Sequence, residues 1–497
     1  MPDSPQTQKK IFDHLAKKIH LYQSDIVKDL SKLISIRTVN EGVKGDHVIC
    51  HNKEKAFRFI QSLAKKMGLL VYPIPKRGMI VEWGQGQNII DVPCHLDVVQ
   101  AGRDWTVAPF RGTVKNSRVY GRGAVDNKGP CISAIYALFV LKEAGLKPKK
   151  TIRLIYCCDE ESGIWVDMAV CLKKLQRSKF AIVQDSHFPV VNAEKGFLDV
   201  IVDVRDVSKK PKGHLQDLIE CIHFSGGLRS NMVPDRAFAC LKFRSPNTQE
   251  KPLLQKCIIF CRKQNVQINI HRKKSFFKKS FCKGPYDIVL EAIGKSAHGS
   301  LPHEGRNAVC VLAMFLDQLA LKKSSRSSVV RFIAKCVKEE HYGQALGIAK
   351  RHPKMGRLTV NLGHVTDEAK GMKLFLNIRY PKGIAPPVIL KKIKNKLGFR
   401  AKISKGRNSM EPIWVSPKNP YIRKLKQAFR LATGLTPYTA TMAGTTYAKV
   451  FKKAAGFGPL LPSETGTAHM PDEYIPIKTL LRNTKALAAA YLKLGCE

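Results

Sequence analysis

Histidine and carboxylate residues follow three apolar stretches of the sequence, at the points where buried strands are expected to end. His95 and Asp97 close the run NIIDVPCHLD, residues 159–161 (DEE) follow TIRLIYCC, and Asp185 follows FAIVQ. Asp126 precedes the apolar segment KGPCISAIYALFVLKEAGL, whose pattern predicts a long helix. Because the carboxyl ends of strands in an open α/β sheet converge on one crevice, these side chains are predicted to lie close together.

Carboxylates that lie so close to one another cannot all remain ionised unless a cation lies among them. Zinc accepts imidazole nitrogen and carboxylate oxygen, and a catalytic zinc site keeps one position open for water. Taken singly, each residue has a structural explanation, since an Asp before a helix is usually an N-cap and a pair of Glu residues usually lies on the surface. The coincidence of four such features at strand ends favours a divalent-metal site.

The elements that position these residues fall into two compositional styles. An amphipathic helix is predicted over SDIVKDLSKLISI, with Ser24 as its N-cap, and strands then alternate with helices up to residue 194. This alternation predicts an α/β domain, with a mostly parallel sheet that carries helices on both faces. Residues 195–412 are more alternating and more basic, which indicates an inserted α+β domain, and residues 413–497 return to the first style.

The net charge of the chain is +46, from 85 Lys and Arg against 39 Asp and Glu. Such an excess raises nucleic acid or an anionic membrane as a partner. The positive charge is densest in two runs, residues 271–283 and 391–407. The first run alternates Phe with Lys, a pattern also found in proteins that bind single-stranded nucleic acid. The same alternation describes an edge strand with its apolar side inward. Because no nucleic-acid motif accompanies the charge, we favour the edge strand and do not expect nucleic acid as a partner.

Cysteine usage and the terminal sequence indicate a cytoplasmic protein. Fourteen Cys are scattered without the paired spacing of a structural zinc site, which favours reduced thiols. The opening MPDSPQTQKK is too polar for a signal peptide, and no apolar run is long enough to cross a bilayer, so no membrane association is expected.

Four motifs together resemble those of a known superfamily. They are HLDVV (95–99), RGAVDNKG (122–129), DEE (159–161) and the late His469. The set is similar to that of the dinuclear zinc hydrolases of the aminoacylase, carboxypeptidase G and dipeptidase superfamily. The similarity is greatest to PepV-like (Xaa-His, carnosinase-type) dipeptidases, and it extends from near residue 25 to the C-terminus.

The resemblance implies two Zn²⁺ per chain, with Co²⁺ or Mn²⁺ as alternatives. One ion would be held by His95, Asp126 and Asp185, and the other by Asp126, Glu161 and His469, with Asp126 as the bridge. Asp97 would hydrogen-bond the far ring nitrogen of His95 and fix its orientation. Glu160 would be the general base.

The resemblance also assigns the inserted domain, residues 195–412, as a lid over a catalytic domain built from residues 1–194 and 413–497. His298 of SAHGS would stabilise the oxyanion, and Asn231 and Arg379 would bind substrate. The family's GGGT loop reads AGTT here (443–446), with Gly444 and Thr446 at substrate-binding positions. Since the large insertion imitates the dimer partner of shorter relatives, a monomer is expected.

The predicted function is a zinc-dependent dipeptidase that hydrolyses short peptides with a free C-terminal carboxylate through a metal-bridging hydroxide. Within the same chemistry, an N-acyl-amino-acid deacylase and a succinyl-diaminopimelate desuccinylase-type amidohydrolase remain alternatives. A basic nucleic-acid-binding protein on a hydrolase fold is the alternative from a different class. Two positions depart from the family pattern: Cys94, where the family usually has Gly or Ser, and the AGTT loop. These departures leave the metal ligands unchanged and are expected to affect which substrate is bound.

Overall fold

Two units, each with its own sheet and hydrophobic core, make up the computed structural model. The structure describes residues 4–44, 47–205, 219–244, 246–272, 285–368, 371–398, 400–406 and 409–496. Unit 1 comprises Met1–Glu194 and Ile413–Glu497, and unit 2 comprises Lys195–Pro412.

The first segment of unit 1 alternates strands with helices. Its helices are α1 (Pro5–Leu21), α2 (Gln23–Ser35), α3 (Lys53–Lys66), α4 (Lys128–Glu143) and α5 (Val166–Lys174). Its strands are β1 (Asn40–Lys44), β2 (His47–Cys50), β3 (Leu70–Ile74), β4 (Gly78–Trp83), β5 (Ile89–His95), β6 (Thr113–Lys115), β7 (Arg118–Tyr120), β8 (Thr151–Cys157), β9 (Phe180–Val183), β10 (Ser186–His187) and β11 (Val190–Glu194).

Unit 2 is richer in long strands, and unit 1 resumes after it. The elements of unit 2 are β12 (Gly196–Arg205), β13 (Glu220–Gly226), β14 (Arg236–Lys242), α6 (Pro246–Gln264), β15 (Gln267–Arg272), β16 (Ile288–Ile293), α7 (Ala308–Leu316), α8 (Ser325–Phe332), β17 (Arg351–His352), β18 (Gly356–Arg357), β19 (Thr359–Glu368), β20 (Gly371–Tyr380), α9 (Pro386–Lys396) and β21 (Lys402–Lys405). The second segment of unit 1 contains β22 (Ile413–Trp414), α10 (Pro420–Thr433), β23 (Thr439–Met442), β24 (Ala454–Gly456), β25 (Pro459–Leu460), β26 (Tyr474–Pro476) and α11 (Ile477–Tyr491).

The sheet of unit 1 is parallel at its centre. Over the described residues its order is β22-β11-β24-β9-β5-β8-β4-β3, with β23 paired to β11. Strand β5 runs parallel to β8 and β9, and β9 runs parallel to β24. Strands β3, β4 and β22 are antiparallel to their neighbours, and so is β11 to β24. The predicted α/β class is confirmed, and antiparallel strands extend the parallel centre at both edges.

The core of unit 1 explains why its central strands read as continuous apolar runs. Every residue of β5 and of β8 is buried, which requires helices on both faces of the sheet. Helix α4 is buried along most of its length, and α2 buries the predicted face. At the start of α4, the buried Lys128 donates to the carbonyl oxygens of Leu33 (3.1 Å) and Ile36 (2.7 Å), which satisfies the C-terminal end of α2.

The N-terminal helices differ from the sequence prediction. Helix α2 begins at Gln23 and follows α1 directly, so the prediction of Ser24 as its N-cap is wrong. The N-cap of α1 is Ser4, whose hydroxyl accepts a hydrogen bond from the Thr7 amide at 3.1 Å. Sequence reasoning overlooked α1 because its buried stripe of Phe12, Leu15 and Ile19 is narrow and lies among lysines.

Unit 2 is built on an antiparallel sheet, as expected for an α+β domain. Its described strands follow the order β15-β16-β14-β13-β19-β20-β12-β21, and the longest ladders join β20 to β12 and to β19. Of the first basic run, only residues 271–272 are described, as the end of the outermost strand β15; the predicted edge strand over 273–283 lies outside the described residues. The second basic run contributes to α9 and β21.

The described cysteines and helices bear on two further predictions. Twelve cysteines are free thiols and most of them are buried. Cys240, in contrast, is disulfide-bonded, so the expectation of uniformly reduced thiols is wrong at that residue. Among the residues described, no helix combines the length and the apolar character needed to span a membrane.

Candidate metal centre

Strand register brings the first set of predicted ligands together. His95 is the last residue of β5 and lies opposite Cys157, the last residue of β8. Asp185 follows β9, which is parallel to β5 on its other side. Asp126 lies in the turn before α4. The carboxyl ends of the parallel strands therefore converge as the sequence predicts.

Two groups of side chains share Asp126. The Nε2 atom of His95 lies 3.0 Å from Asp126 Oδ1 and 3.9 Å from Asp185 Oδ2. The Nε2 atom of His469 lies 3.2 Å from Asp126 Oδ2 and 3.1 Å from Glu161 Oε1. In each group one ligand atom from every residue lies within 4.8 Å of the others. Asp126 thus directs one carboxylate oxygen to each group.

The hydrogen bonding of these atoms fits a metal ion. In the part of the chain that the structure describes, the buried atoms His95 Nε2 and Asp126 Oδ1 have no hydrogen-bond partner, although they face each other. Buried polar atoms are normally paired, so two such atoms side by side indicate a shared ligand. The donor set of imidazole nitrogen and carboxylate oxygen is the one that zinc takes in catalytic sites.

The electrostatics of the centre also favour a cation. Burial and the neighbouring Asp126 raise the pKa of Asp185 to about 8. Burial and the charge of Asp185 raise the pKa of Glu160 well above its usual range. Burial opposes ionisation of Asp126 as well, but the neighbouring imidazoles of His469 and His95 outweigh burial and lower its pKa. A divalent ion would stabilise all of these carboxylates in their ionised form.

Asp97 holds the segment that carries Glu160 and Glu161. Its Oδ1 accepts a hydrogen bond from the Glu160 amide (3.2 Å), and its Oδ2 accepts one from the Glu161 amide (3.0 Å). The Nδ1 atom of His95 lies closer to the carbonyl oxygen of Asp97 (3.1 Å) than to its Oδ1 (3.5 Å). Asp97 therefore orients His95 mainly through its main chain, while its carboxylate fixes the DEE segment, a role that the sequence did not suggest.

Glu473 is a buried carboxylate that sequence reasoning missed. Its Oε1 accepts hydrogen bonds from the amides of Val125 (3.0 Å) and Asp126 (3.2 Å), and its Oε2 pairs with Arg122 at 2.7 Å. These contacts fix the backbone of the shared ligand. Loss of one partner of a buried ion pair typically costs about 3–5 kcal/mol. The available signal was Arg122 in the RGAVDNKG motif, a buried cation that needs a carboxylate from elsewhere in the chain.

Asp159 is a second residue that the sequence left without a role. Its Oδ2 accepts hydrogen bonds from the amides of Asp167 (2.5 Å) and Met168 (3.2 Å) at the start of α5, and its Oδ1 accepts from the hydroxyl of Tyr447. The ring of Tyr447 lies edge-on to that of His95, with centroids 6.3 Å apart. Asp159 and Tyr447 therefore anchor the DEE segment in addition to Asp97.

Removal of the Tyr447 hydroxyl is expected to destabilise unit 1. In Tyr447→Phe the buried Oδ1 of Asp159 loses its donor, which typically costs about 1–3 kcal/mol. Denaturant unfolding, followed by tryptophan fluorescence, measures this loss. The control is Tyr438→Phe, since Tyr438 is half exposed. Equal unfolding midpoints for the two variants would show that the Tyr447 contact contributes nothing.

The AGTT loop is fixed from within unit 1. Both the amide and the hydroxyl of Thr446 donate to the buried Glu194, at 3.2 and 2.6 Å, and the hydroxyl also accepts from the Ala448 amide. The side chain of Thr446 is therefore committed to positioning the loop. Gly444 is partly exposed and lies beside the side chain of Met442.

The three predicted lid residues lie at one end of unit 2. The Gly299 amide donates to the Asn231 carbonyl oxygen at 2.7 Å, and a side chain at Gly299 would collide with the Asn231 backbone. His298 pairs with Met232 in an isolated bridge. The Nδ1 atom of His298 lies 2.5 Å from Ser300 Oγ.

Arg379 reaches the same end through β20, where it lies opposite Thr359, whose hydroxyl donates to the Ser300 carbonyl oxygen at 3.4 Å. The guanidinium is buried, donates to Asn377 Oδ1 at 3.1 Å and stacks 4.3 Å from the centre of the Phe197 ring. Asn231, in contrast, is exposed.

The α/β fold carries two histidine–carboxylate groups that could each hold a metal ion. Residues 92–493 match the model of peptidase family M20/M25/M40, and the chain belongs to this family.

Relatives match over almost the whole chain. The chain is 30% identical to "Putative dipeptidase YtjP" of Bacillus subtilis over 478 residues, which cover 95% of this chain and 98% of the relative. The chain is also 30% identical to "Putative dipeptidase SSP1012" of Staphylococcus saprophyticus over 493 residues, which cover 97% of this chain and 99% of the relative. The predicted recognition of a dipeptidase-type member of this superfamily is confirmed.

Solved structures share the fold at low sequence identity. Human carnosine dipeptidase 1 superposes with a TM-score of 0.56 at 13% identity and covers 97% of this chain and 98% of its own. The dipeptidase Dug1p of Saccharomyces cerevisiae gives a TM-score of 0.54 at 14% identity, with the same two coverages. These similarities establish the fold of the chain.

Proposed function

We propose that this protein is a dinuclear zinc-dependent dipeptidase, which hydrolyses the peptide bond of short peptides that carry a free C-terminal carboxylate. The observation that carries the proposal is the geometry of Asp126, whose two oxygens lie 3.0 and 3.2 Å from the imidazoles of His95 and His469. The names of the Bacillus and Staphylococcus relatives support a dipeptide substrate.

Two metal ions fit the two groups of side chains. His95, Asp126 and Asp185 would hold one ion, and Asp126, Glu161 and His469 would hold the other, with Zn²⁺ favoured by the donor set and Co²⁺ or Mn²⁺ as substitutes. When bound, two such ions polarise the scissile carbonyl and lower the pKa of a water molecule between them.

Glu160 is the residue that moves the proton. It belongs to neither metal group, and its main chain is fixed by the hydrogen bond from its amide to Asp97. Its carboxylate takes the proton of the attacking water and returns it to the nitrogen of the leaving amine. Because hydrogen bonds of Asp97 and Asp159 fix the main chain of the segment, the position from which Glu160 acts is set before substrate binds.

Unit 2 supplies the remaining groups as a lid in this proposal. His298 donates to the developing oxyanion, and Asn231 and Arg379 hold the substrate. The stacking of Arg379 on Phe197 and its bond to Asn377 fix the guanidinium plane, which suits a bidentate grip on a carboxylate. Gly444 lies at the substrate-binding position of the AGTT loop, whereas Thr446 acts by holding that loop on Glu194.

Metal analysis coupled to a hydrolysis screen tests the proposal. The purified protein is assayed for bound zinc and then presented with β-alanyl-histidine, other dipeptides, and N-acetylated and N-succinylated amino acids. Two zinc equivalents and preferential cleavage of dipeptides are expected. Preferential cleavage of the N-acyl controls would make the protein a deacylase or desuccinylase instead. Absence of hydrolysis, together with salt-sensitive binding of single-stranded nucleic acid, would favour the binding-protein alternative.

Truncation of Arg379 is expected to weaken the recognition of a free carboxylate. In Arg379→Ala, KM for a dipeptide rises by about 10- to 100-fold, because a charge-assisted hydrogen bond contributes about 1.5–3 kcal/mol. KM for the corresponding dipeptide amide should not change. The control is Arg244→Ala, which truncates an exposed arginine of the same unit. Equal loss on the acid and the amide would contradict a carboxylate clamp.

The proposed setting is the cytoplasm, and the proposed state is a monomer. The free thiols of unit 1 support a reducing compartment. Size-exclusion chromatography with light scattering measures the oligomeric state directly.

A further inference from the structure

A basic trough lies on unit 1 and shares no residue with the two metal groups. It is formed by two adjoining cavities of about 580 and 440 Å³, both of which have Ser117 and Lys478 in their walls. The charged residues that line the trough are Arg118, Lys478, Arg482, Lys485 and Glu464. Four cations therefore face one carboxylate among the described lining residues.

The one carboxylate of the trough, that of Glu464, already has hydrogen-bond partners within the protein. Glu464 contacts the guanidinium of Arg482 and accepts hydrogen bonds from the Thr479 hydroxyl (2.6 Å) and the Leu461 amide (2.8 Å). Burial opposes its ionisation, but these contacts outweigh burial and lower its pKa. Arg482 and Glu464 neutralise each other, which leaves Arg118, Lys478 and Lys485 to determine the charge of the trough.

The lysine Lys485 has an unusual neighbour. Its Nζ lies 2.7 Å from Nε2 of His20, which lines the same cavity. Lys485 is half-buried, and burial lowers its pKa. In the described part of the chain, no carboxylate forms an ion pair with Lys478 or Lys485. Two bases in contact at a concave surface create a site that an anion would stabilise.

Arg118 is held in place at the other end of the trough. Its guanidinium carbon lies 4.2 Å from the centre of the Tyr474 ring, and its Nη1 donates to the Tyr120 hydroxyl at 3.3 Å. A guanidinium packed on an aromatic ring is restricted in its orientation and keeps other N–H groups available for a ligand. Such a guanidinium matches the oxygens of a phosphate or carboxylate group.

We propose that this trough binds a small phosphate-bearing anion. Three uncompensated cations match a group that carries two or more negative charges, and the planar Arg118 favours the tetrahedral oxygens of phosphate as a bidentate partner. The volume of each cavity falls in the usual range of small-ligand sites, about 300–1,000 Å³. The trough also gives a specific role to part of the large positive charge of the chain.

Calorimetric titration of the metal-loaded protein with inorganic phosphate, at constant ionic strength against chloride, tests the proposal. The trough variant is Lys478→Gln with Lys485→Gln. The matched control is Lys55→Gln with Lys66→Gln, two exposed lysines of α3. Loss of two charge-assisted contacts should weaken binding by about tenfold or more in the trough variant only. Because phosphate also binds metal centres, Asp126→Ala is titrated in parallel and should retain the trough affinity.

Three outcomes would overturn the proposal. The first is unchanged affinity in the trough variant, and the second is loss of binding in Asp126→Ala alone, which would assign the phosphate to the metal centre. The third is binding of an oligonucleotide without binding of inorganic phosphate, which would identify a polyanion surface. If the trough variant is poorly folded, the ring resonances of His20 in the wild-type protein decide instead: phosphate is expected to shift them, and their constancy at saturation contradicts the site.

Discussion

Replacement of Asp126 by alanine is expected to remove both metal ions and abolish peptide hydrolysis. Asp126 is the residue common to the two groups, with Oδ1 directed to His95 and Oδ2 directed to His469. Without it each group keeps only two side chains, and the remaining carboxylates repel one another. Metal content by mass spectrometry, together with dipeptide turnover, measures the effect.

Two comparisons make this result specific. Asp13→Ala truncates an exposed aspartate on α1 and should leave metal content and turnover unchanged. Asp185→Ala removes a ligand of one group only, so one metal equivalent should remain. Two equivalents of zinc bound to Asp126→Ala would exclude this residue as the bridge.

The residues of the centre that the sequence could predict are those placed by strand ends. His95 and Asp185 come together because β5 and β9 are parallel neighbours, and this follows from the apolar runs that precede them. Asp126 and His469 do not follow a strand end in that way, since one lies in a turn and the other far along the chain. Asp126 was placed with the strand-end residues because it precedes a predicted helix, whereas His469 was placed there only by the resemblance of whole motifs.

The supporting contacts could not be read from the sequence, because they join distant segments. Glu473 binds the Asp126 amide across 347 residues, and Tyr447 binds Asp159 across 288 residues. Neither Glu473 nor Tyr447 lies in a distinctive local sequence pattern. Each meets its partner only because the folded chain brings distant segments into contact. Hydrogen-bond networks of this kind become visible only once the fold is known.

In the fold, too, local features could be predicted from the sequence and long-range pairings could not. The alternating pattern of residues 195–412 was enough to predict an α+β domain, and strands β19 and β20 form an antiparallel pair within it. The pairing of β12 with β20 could not be predicted, because Gly196 and Tyr380 are separated by most of the insertion. Local sequence determines the type of an element more readily than its partner in a sheet.

Substitution of Glu160 by glutamine is expected to lower kcat by about 10²–10⁴-fold while both metal ions remain bound. The amide has the shape of the carboxylate but cannot accept the proton of the attacking water. Glu160 lies outside both metal groups. The hydrogen bond to the Asp97 carboxylate comes from the Glu160 amide and not from the Glu160 side chain, so the substitution should leave the segment in position. KM should change little, because the lost interaction acts on the transition state.

The adjacent residue provides the matched control, because Glu161 is the same amino acid one position along the same segment. Its Oε1 lies 3.1 Å from His469 Nε2 within the second metal group, so Glu161→Gln should release one metal equivalent. The pair of variants therefore separates proton transfer from metal binding: one loses turnover with its metal intact, and the other loses metal. If Glu160→Gln releases metal while Glu161→Gln retains it, the two residues have exchanged roles. If Glu160→Gln turns over like the wild type, the general base is another group.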